Sequence, residues 1–368
     1  MTSPFGLSFP AIRGIQAGRE YFTSMCPLRL LPRIFTFNEA ELQPELRAQR
    51  HLNKGRLPEL SRYIVQNADG YVFSAITASI DGDVKFIPIE GTDSENRIGS
   101  LHVEMDAKFI INDGQHRRAA IEMALEERPE LADETIAVVF FVDQGLERCQ
   151  QMFADLNRYA VRPSRSIGVL YDHRDDRADL VRMVVQKLPQ LKDLIELERS
   201  TLSQRSRRLF TLSALYTASG ALLSGLDCEG PQERAELALK YWSIVADAFP
   251  EWKAVQDGNL SAGEVRQDFI HSHGVGLHAL GRAGNALVSE FPDHWEEKLK
   301  LLKNMDWRRS NKTLWEGRAM VGGRISKSQQ HVTLTTNAIK NALAIPLSDD
   351  EMKLEKMYAK DTQNVAAE

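Results

Sequence analysis

Between Lys108 and Leu125 the chain passes from a strand pattern to a helix pattern with no linker between them. Phe109, Ile110 and Ile111 read as the end of a buried strand. Asn112, Asp113 and Gly114 are turn formers, and from Gln115 onward Ala119, Ala120, Met123 and Ala124 recur at helical spacing. Beyond that helix, Thr135 to Val142 is the most β-prone run in the chain. A helix bracketed by two buried strands is a βαβ-like unit, and such a unit places its ligand at the carboxyl end of the first strand.

All the polar chemistry of the stretch sits at the crossing. A helix N-terminus offers unpaired backbone N–H groups and the positive end of its dipole to an anion. Gly114 allows close approach, and Arg117 and Arg118 add charge in the first turn. Arginine and histidine this early oppose the dipole, so a purely structural helix gains nothing from His116, Arg117 and Arg118. Phosphate is the natural guest, held by Gly114, Gln115, Arg117 and Arg118. Asp113 doubles as an N-cap whose carboxylate can accept an N–H one turn ahead. If the site reacts, Asp113, His116 and Arg117 are the candidate catalytic groups, handling a proton or Mg²⁺ and neutralising developing charge.

The pentapeptide Asp113-Gly-Gln-His-Arg117 is the motif of the DGQHR-domain proteins, and the chain resembles the DndB family of DNA sulfur modification proteins. Further family-like pieces are Arg47-Ala-Gln-Arg50 with Asn53 and Arg56, Phe153-Ala-Asp-Leu-Asn-Arg158, His271-Ser-His-Gly274 and Trp315-Glu-Gly-Arg318. Gly114-x-x-Arg117-x-x-Ala120 is also similar to the phosphate-binding box of the ParB/sulfiredoxin-like fold. In ParB-like nucleotide switches a second box of Glu-Asn-x-x-Arg type grips the phosphates. Here Asp155-x-Asn157-Arg158 is similar, with the acid shifted and the arginine spacing changed. Asn157 and Arg158 are its candidate nucleotide ligands, or Asn157 simply ends a helix beside a cation.

Length and charge bound the alternatives. At 368 residues the chain exceeds the ~100–200 usual for one domain, so two domains are expected. Hydrophobic residues at 43% and charged residues at 26% suit a globular protein. A net charge of −5 gives no global attraction to nucleic acid, so DNA binding requires a local basic patch. Cys26, Cys149 and Cys228 contain no Cys-x-x-Cys pair, which fits neither a zinc ribbon nor a disulfide framework and suits a reducing cytoplasm. The start lacks the basic and apolar regions of a signal peptide, and no apolar run reaches the ~18 residues of a membrane helix. A cytoplasmic protein with no membrane partner is expected.

In chain order, residues 1–20 are expected to be a flexible arm, rich in Gly and Pro. Residues 21–172 form the DGQHR/ParB-like domain, with strands at Tyr21–Leu31, Ile34–Phe37, Tyr71–Ile80, Val84–Ile89, Ile98–Val103, Lys108–Ile111 and Thr135–Val142. Asp81-Gly82 reads as a hairpin joining the Tyr71 and Val84 strands. From Glu39 a helix is expected, and Arg47, Arg50, Lys54 and Arg56 crowd one segment: a solvated face, or arginines closing over the anion of Arg117.

Beyond Asp172 the strand patterns stop. Residues 173–346 are expected to be a helical domain, with helices at Asp179–Leu188, Lys192–Glu198, Arg208–Leu223, Glu233–Phe249, Val265–Phe291 and His294–Met305. Residues 347–368 form a charged tail that frays. Two basic stretches stand out: Arg199, Arg205, Arg207 and Arg208 among serines, and Arg308, Arg309, Lys312, Arg318, Arg324 and Lys327 along a Gly-rich segment. Phosphate contacts on DNA want such side chains with hydroxyls on open backbone, and Arg205, Arg207, Arg208, Arg308, Arg309, Arg324 and Lys327 are the candidates. A solvated surface is the other reading. Trp307 and Trp315 pack into a core or against a sugar. His271, His273 and His278 with Asp268 invite a metal, but histidines at i, i+2 on a helix diverge and the zincin glutamate is missing, so packing around Gly274, Gly276, Gly281 and Gly284 is expected.

The fold class expected is α+β, a ParB/sulfiredoxin-like mixed sheet with helices followed by a mainly helical domain. The resemblance implies a DNA-binding transcriptional regulator of the phosphorothioation genes. Its partner would be promoter duplex DNA and its turn would hold a nucleotide effector. The alternative is a nucleotide-hydrolysing enzyme using ATP with Mg²⁺ at the turn. A homo-oligomer is expected, since a dimer would use basic clusters on DNA more readily.

Overall fold

A computed structural model describes residues 6–35, 54–89, 97–142, 151–152, 154–156 and 163–365. The chain divides into two compact units, Met1–Val161 and Arg162–Glu368, each with its own apolar core. The architecture is α+β, a mixed sheet in the first unit and mainly helices in the second.

Seven strands form the sheet of the first unit: β1 (Gly6–Gln16), β2 (Arg19–Pro27), β3 (Ile76–Asp81), β4 (Val84–Pro88), β5 (Ile98–Glu104), β6 (Lys108–Asp113) and β7 (Thr135–Val142), in the order β4-β5-β1-β2-β7-β3-β6. Every pairing is antiparallel except β3 with β7. The residues expected to be a flexible arm supply β1, which pairs with β2 and β5 in the middle of the sheet. Leu7, Phe9 and Ala11 alternate toward the core, and that period-2 burial outweighs the Gly and Pro content.

The expected hairpin at Asp81-Gly82 is also corrected. β3 pairs with β6 and β7, whereas β4 pairs with β5 at the far edge. Gly82 (φ 155°) carries the chain from β3 to β4, and a Cβ there would lie 2.6 Å from the Ala107 Cβ. The β3–β4 and β5–β6 turns pack against each other there, Glu104 donating its N–H to the Asp83 carbonyl. Helices α1 (Leu57–Gln66) and α2 (Gln115–Glu127) pack together on the sheet, with Ala120, Ile121 and Ala124 fully buried. Leu31–Ile34 is a single helical turn where a strand was expected. The expected helix from Glu39, with Arg47 and Arg50, lies outside the described residues.

The second unit begins earlier than Asp172. Helix α3 (Arg165–Tyr171) belongs to it, because buried Ser166 donates to the Arg199 carbonyl at 2.9 Å and meets the Ser213 hydroxyl at 3.2 Å. The helices α4 (Asp176–Lys187), α5 (Leu212–Leu223), α6 (Pro231–Ala248), α7 (Pro250–Gln256), α8 (Ala262–Asp268), α9 (Gly274–Glu290), α10 (Gln329–Ala342) and α11 (Asp349–Val365) follow. α9 lies between α5 and α10, and Gly281 makes this possible, since a Cβ there would collide with the Ala218 carbonyl. The continuous helix expected over Val265–Phe291 breaks at residues 269–273. Lys192–Glu198 is not helical: Ile195–Glu196 pairs with Phe210–Thr211.

The expected fraying tail is instead α11, clasped to the unit by ion pairs Lys340–Glu351 and Arg318–Glu355. Tyr358 donates to the Glu316 carbonyl at 2.8 Å while Arg318 lies 4.3 Å above its ring. Among the described residues no helix is long and apolar enough to cross a membrane.

Candidate phosphate-binding sites

The Asp113–Arg117 turn forms where the sequence places it. β6 ends at Asp113, Gly114 takes a left-handed conformation (φ 108°, ψ 13°), and α2 starts at Gln115 with no side chain capping it. A Cβ at Gly114 would sit 3.0 Å from Ile76 and 3.4 Å from the Arg117 guanidinium, so only glycine fits without strain. Asn112 is buried and donates to the Ser79 hydroxyl at 2.7 Å. Gln115 donates to the Ile111 carbonyl at 3.1 Å, so its side chain faces back along the strand.

The two arginines have partners inside the fold. Arg117, 15% exposed, donates to the carbonyls of Ser74 at 2.7 Å and Ala75 at 2.9 Å and to the Ser74 hydroxyl, and it pairs with Asp113. It therefore staples the segment leading into β3, whose carbonyls have not yet reached the sheet. Arg118, 10% exposed, pairs with Glu122 at 3.0 Å, and its Nε is buried without an acceptor among the described residues. His116 titrates below the ordinary histidine range, mainly through burial and secondarily through Arg56, with Asp113 opposing. Asp113 and Arg117 thus neutralise each other, where the sequence pattern suggested that both serve a phosphate or a proton transfer. Asn157 and Arg158 lie outside the described residues, as do Arg47, Arg50 and Asn53.

The helical unit holds a different arrangement. A cavity of about 650 Å³ opens where the 200–211 segment, α8 and the head of α9 meet. Arg266 on α8 reaches under the loop and donates to the carbonyls of Ser203 at 2.9 Å, Gln204 and Ser206 at 3.1 Å, and Arg208. Arg309 donates to Gln267 at 3.0 Å and Gly323 at 2.7 Å, tying α8 to the Met320–Ile325 hairpin. The Lys327 Nζ lies 3.5 Å from where a Cβ of Gly274 would be, over the first residue of α9. None of Arg266, Arg309 and Lys327 forms an ion pair among the described residues, and no acid lines the cavity.

His273 registers this field. Its Nε2 lies 2.6 Å from the Arg266 carbonyl, to which it donates. Burial above all pushes its pKa down to about 4, opposed by the hydrogen bond to the Arg266 carbonyl and reinforced by the charges of Arg309, Lys327 and Arg266. Neutral His271 behaves differently: it is fully buried, its Nδ1 accepts from Trp252 at 3.1 Å, and its ring stacks on Phe249. It is core.

Of the seven nucleic-acid candidates, Arg309 and Lys327 line the cavity. Arg205, Arg207, Arg308 and Arg324 are exposed. Arg208 pairs with Asp193 at 2.9 Å. Trp307 and Trp315 stack on each other at 5.3 Å inside the core, with both indole N–H groups bound to carbonyls, so neither awaits a sugar. Arg266, Ser272 and the cavity role of His273 were not visible in sequence. The one signal was the His271-Ser-His-Gly274 piece, which marks the start of α9.

Fold and site together define a two-unit α+β protein with Arg309 and Lys327, neither in an ion pair among the described residues, in a cavity at a helix N-terminus. The family model described as DndB, DNA-sulfur modification-associated, matches residues 9–346. The chain belongs to the DndB family and so is associated with DNA sulfur modification. The match spans both units and ends before α11. No curated protein and no solved structure matches the chain, so likeness to the ParB/sulfiredoxin fold rests on the Gly114-x-x-Arg117-x-x-Ala120 spacing alone.

Proposed function

We propose that the helical unit binds the phosphate backbone of double-stranded DNA, and that the protein acts as a DNA-binding regulator of the genes of its sulfur modification system. The observation that carries this reading is a set of exposed cations, Arg205, Arg207, Arg324 and Lys327, that form no ion pair among the described residues. In a chain of net charge −5, unpaired cations concentrated on two segments give local attraction to an anion. Serines and glycines on the same two segments suit backbone contacts that carry no base preference.

ATP hydrolysis with Mg²⁺ at the Asp113–Arg118 turn is the competing proposal. The mutual pairing of Asp113 and Arg117 favours DNA binding over it.

Anisotropy titration of promoter and random duplexes at two salt concentrations tests the reading. Wild type is expected to bind with steep salt dependence, and the combined Arg205→Gln, Arg207→Gln, Arg324→Gln variant to lose at least tenfold. Undiminished binding by that variant would overturn the assignment to this surface. ATP turnover by wild type that disappears in Asp113→Asn would favour the enzyme.

A further inference from the structure

A duplex meets a protein through its outer phosphates, so a basic rim suffices for it. The cavity of the helical unit goes deeper than a rim needs. Its volume of about 650 Å³ falls in the range of small-molecule sites, roughly 300–1,000 Å³. One wall is cationic: Arg309, Lys327 and the first turn of α9, which no side chain caps. The lining also includes apolar Leu202 and Ala214 and the hydroxyl residues Ser200 and Thr201, with Ala214 beside Gly274.

We propose that this cavity binds a nucleotide, its phosphate set between Arg309, Lys327 and the N-terminus of α9 and its base against Leu202. Arg309, Lys327 and the uncapped start of α9 line one cavity that holds no carboxylate, and a phosphate supplies the missing charge. The apolar lining selects a phosphate carrying a flat, weakly polar group over phosphate alone. Gly274 keeps the approach open: any side chain there would stand in ordinary contact with the Lys327 ammonium and fill the space a phosphate oxygen takes. His273 is neutral at pH 7 under the same field, so it serves the site as a hydrogen-bonding brace on Arg266 and not as a further charge.

The nucleotide has two sources, a free mononucleotide or the 5′-phosphorylated end of a strand, and both present the same chemistry. Because the cavity shares Lys327 with the proposed DNA surface, bound nucleotide weakens duplex binding. This regulatory consequence rests on the DNA-binding reading; nucleotide binding itself does not.

Calorimetric titration of the full-length protein with ATP, inorganic phosphate, adenosine and a short 5′-phosphorylated oligonucleotide tests it. ATP is expected to bind at least tenfold more tightly than phosphate, and adenosine not at all. Leu202→Trp, which fills the apolar side without removing charge, is expected to lower ATP affinity at least tenfold and leave duplex affinity unchanged. Lys327→Gln is expected to weaken both ligands, and Asp113→Asn neither. Tighter capture of the oligonucleotide identifies a strand end as the source, and tighter capture of ATP a free nucleotide; either supports the site. The proposal is overturned if ATP fails to bind, or binds Leu202→Trp as it binds wild type, or is lost in Asp113→Asn. Loss of duplex binding alone would overturn the DNA reading and leave the nucleotide site standing.

Discussion

At the β6–α2 turn and at the head of α9 the chain places arginine near the amino end of a helix, and the two places differ in what receives the charge. Arg117 is shared among two main-chain carbonyls, a hydroxyl and Asp113, a set that satisfies a guanidinium fork with little left over. Arg266 and Arg309 also bind carbonyls, but no carboxylate among the described residues balances them, and Lys327 stands beside them. The first arrangement is a structural staple. The second holds positive charge that no carboxylate in the cavity lining balances. A guanidinium at a helix start says little about function until its acceptors are known.

The largest effect that separates the two regions is on stability. Arg117→Ala removes the donor from the Ser74 and Ala75 carbonyls and leaves Asp113 unpaired, which costs about 3 to 4 kcal/mol. Chemical denaturation measures it, with duplex affinity unchanged where the protein is folded. A stable Arg117→Ala protein would break the distinction, because the staple would then be free for a ligand.

Acid titration probes the other region. The unfolded His273 imidazole titrates near 6.5 and the folded one at about 4. Between those values the unfolded chain holds the extra proton, so stability falls as pH drops from about 6.5 to about 4 and levels off below. The loss amounts to about 3 kcal/mol. In His273→Asn that contribution disappears, while His271 and His278, whose pKa values burial also lowers, remain in both proteins. Equal pH dependence of wild type and His273→Asn would show that His273 is not held neutral by burial in the fold.

Sequence patterns revealed much of the first unit and less of the second site. β5, β6 and β7 follow from alternation and β-branched runs, and the Gly114 turn from its own residues. β1 was hidden because Gly6, Pro10 and Gly14 are poor strand formers, although Leu7, Phe9 and Ala11 alternate inward. Asp81-Gly82 announced a bend, yet a bend does not say which strand lies alongside, and that is settled by packing across the sheet. Tyr71–Ala75 read as strand, so the need of the Ser74 and Ala75 carbonyls for an outside donor was invisible. Arg266 offered no signal at all: its role exists only because the 203–208 loop folds over it.

The finest discrimination comes from salt. Removing one cation that sits on a DNA phosphate lowers the slope of log affinity against log salt by about 1. Lys327 is exposed, unpaired among the described residues and set over a helix start, so Lys327→Gln is expected to flatten the slope by that amount and weaken duplex binding a few-fold. Arg118 carries the same formal charge but is paired with Glu122 and nearly buried, so Arg118→Gln is expected to leave the slope where it was. Equal flattening by both substitutions would mean that the turn and the α9 cavity touch DNA alike, and the contrast between staple and ligand site would fail at the one property that most directly counts phosphates.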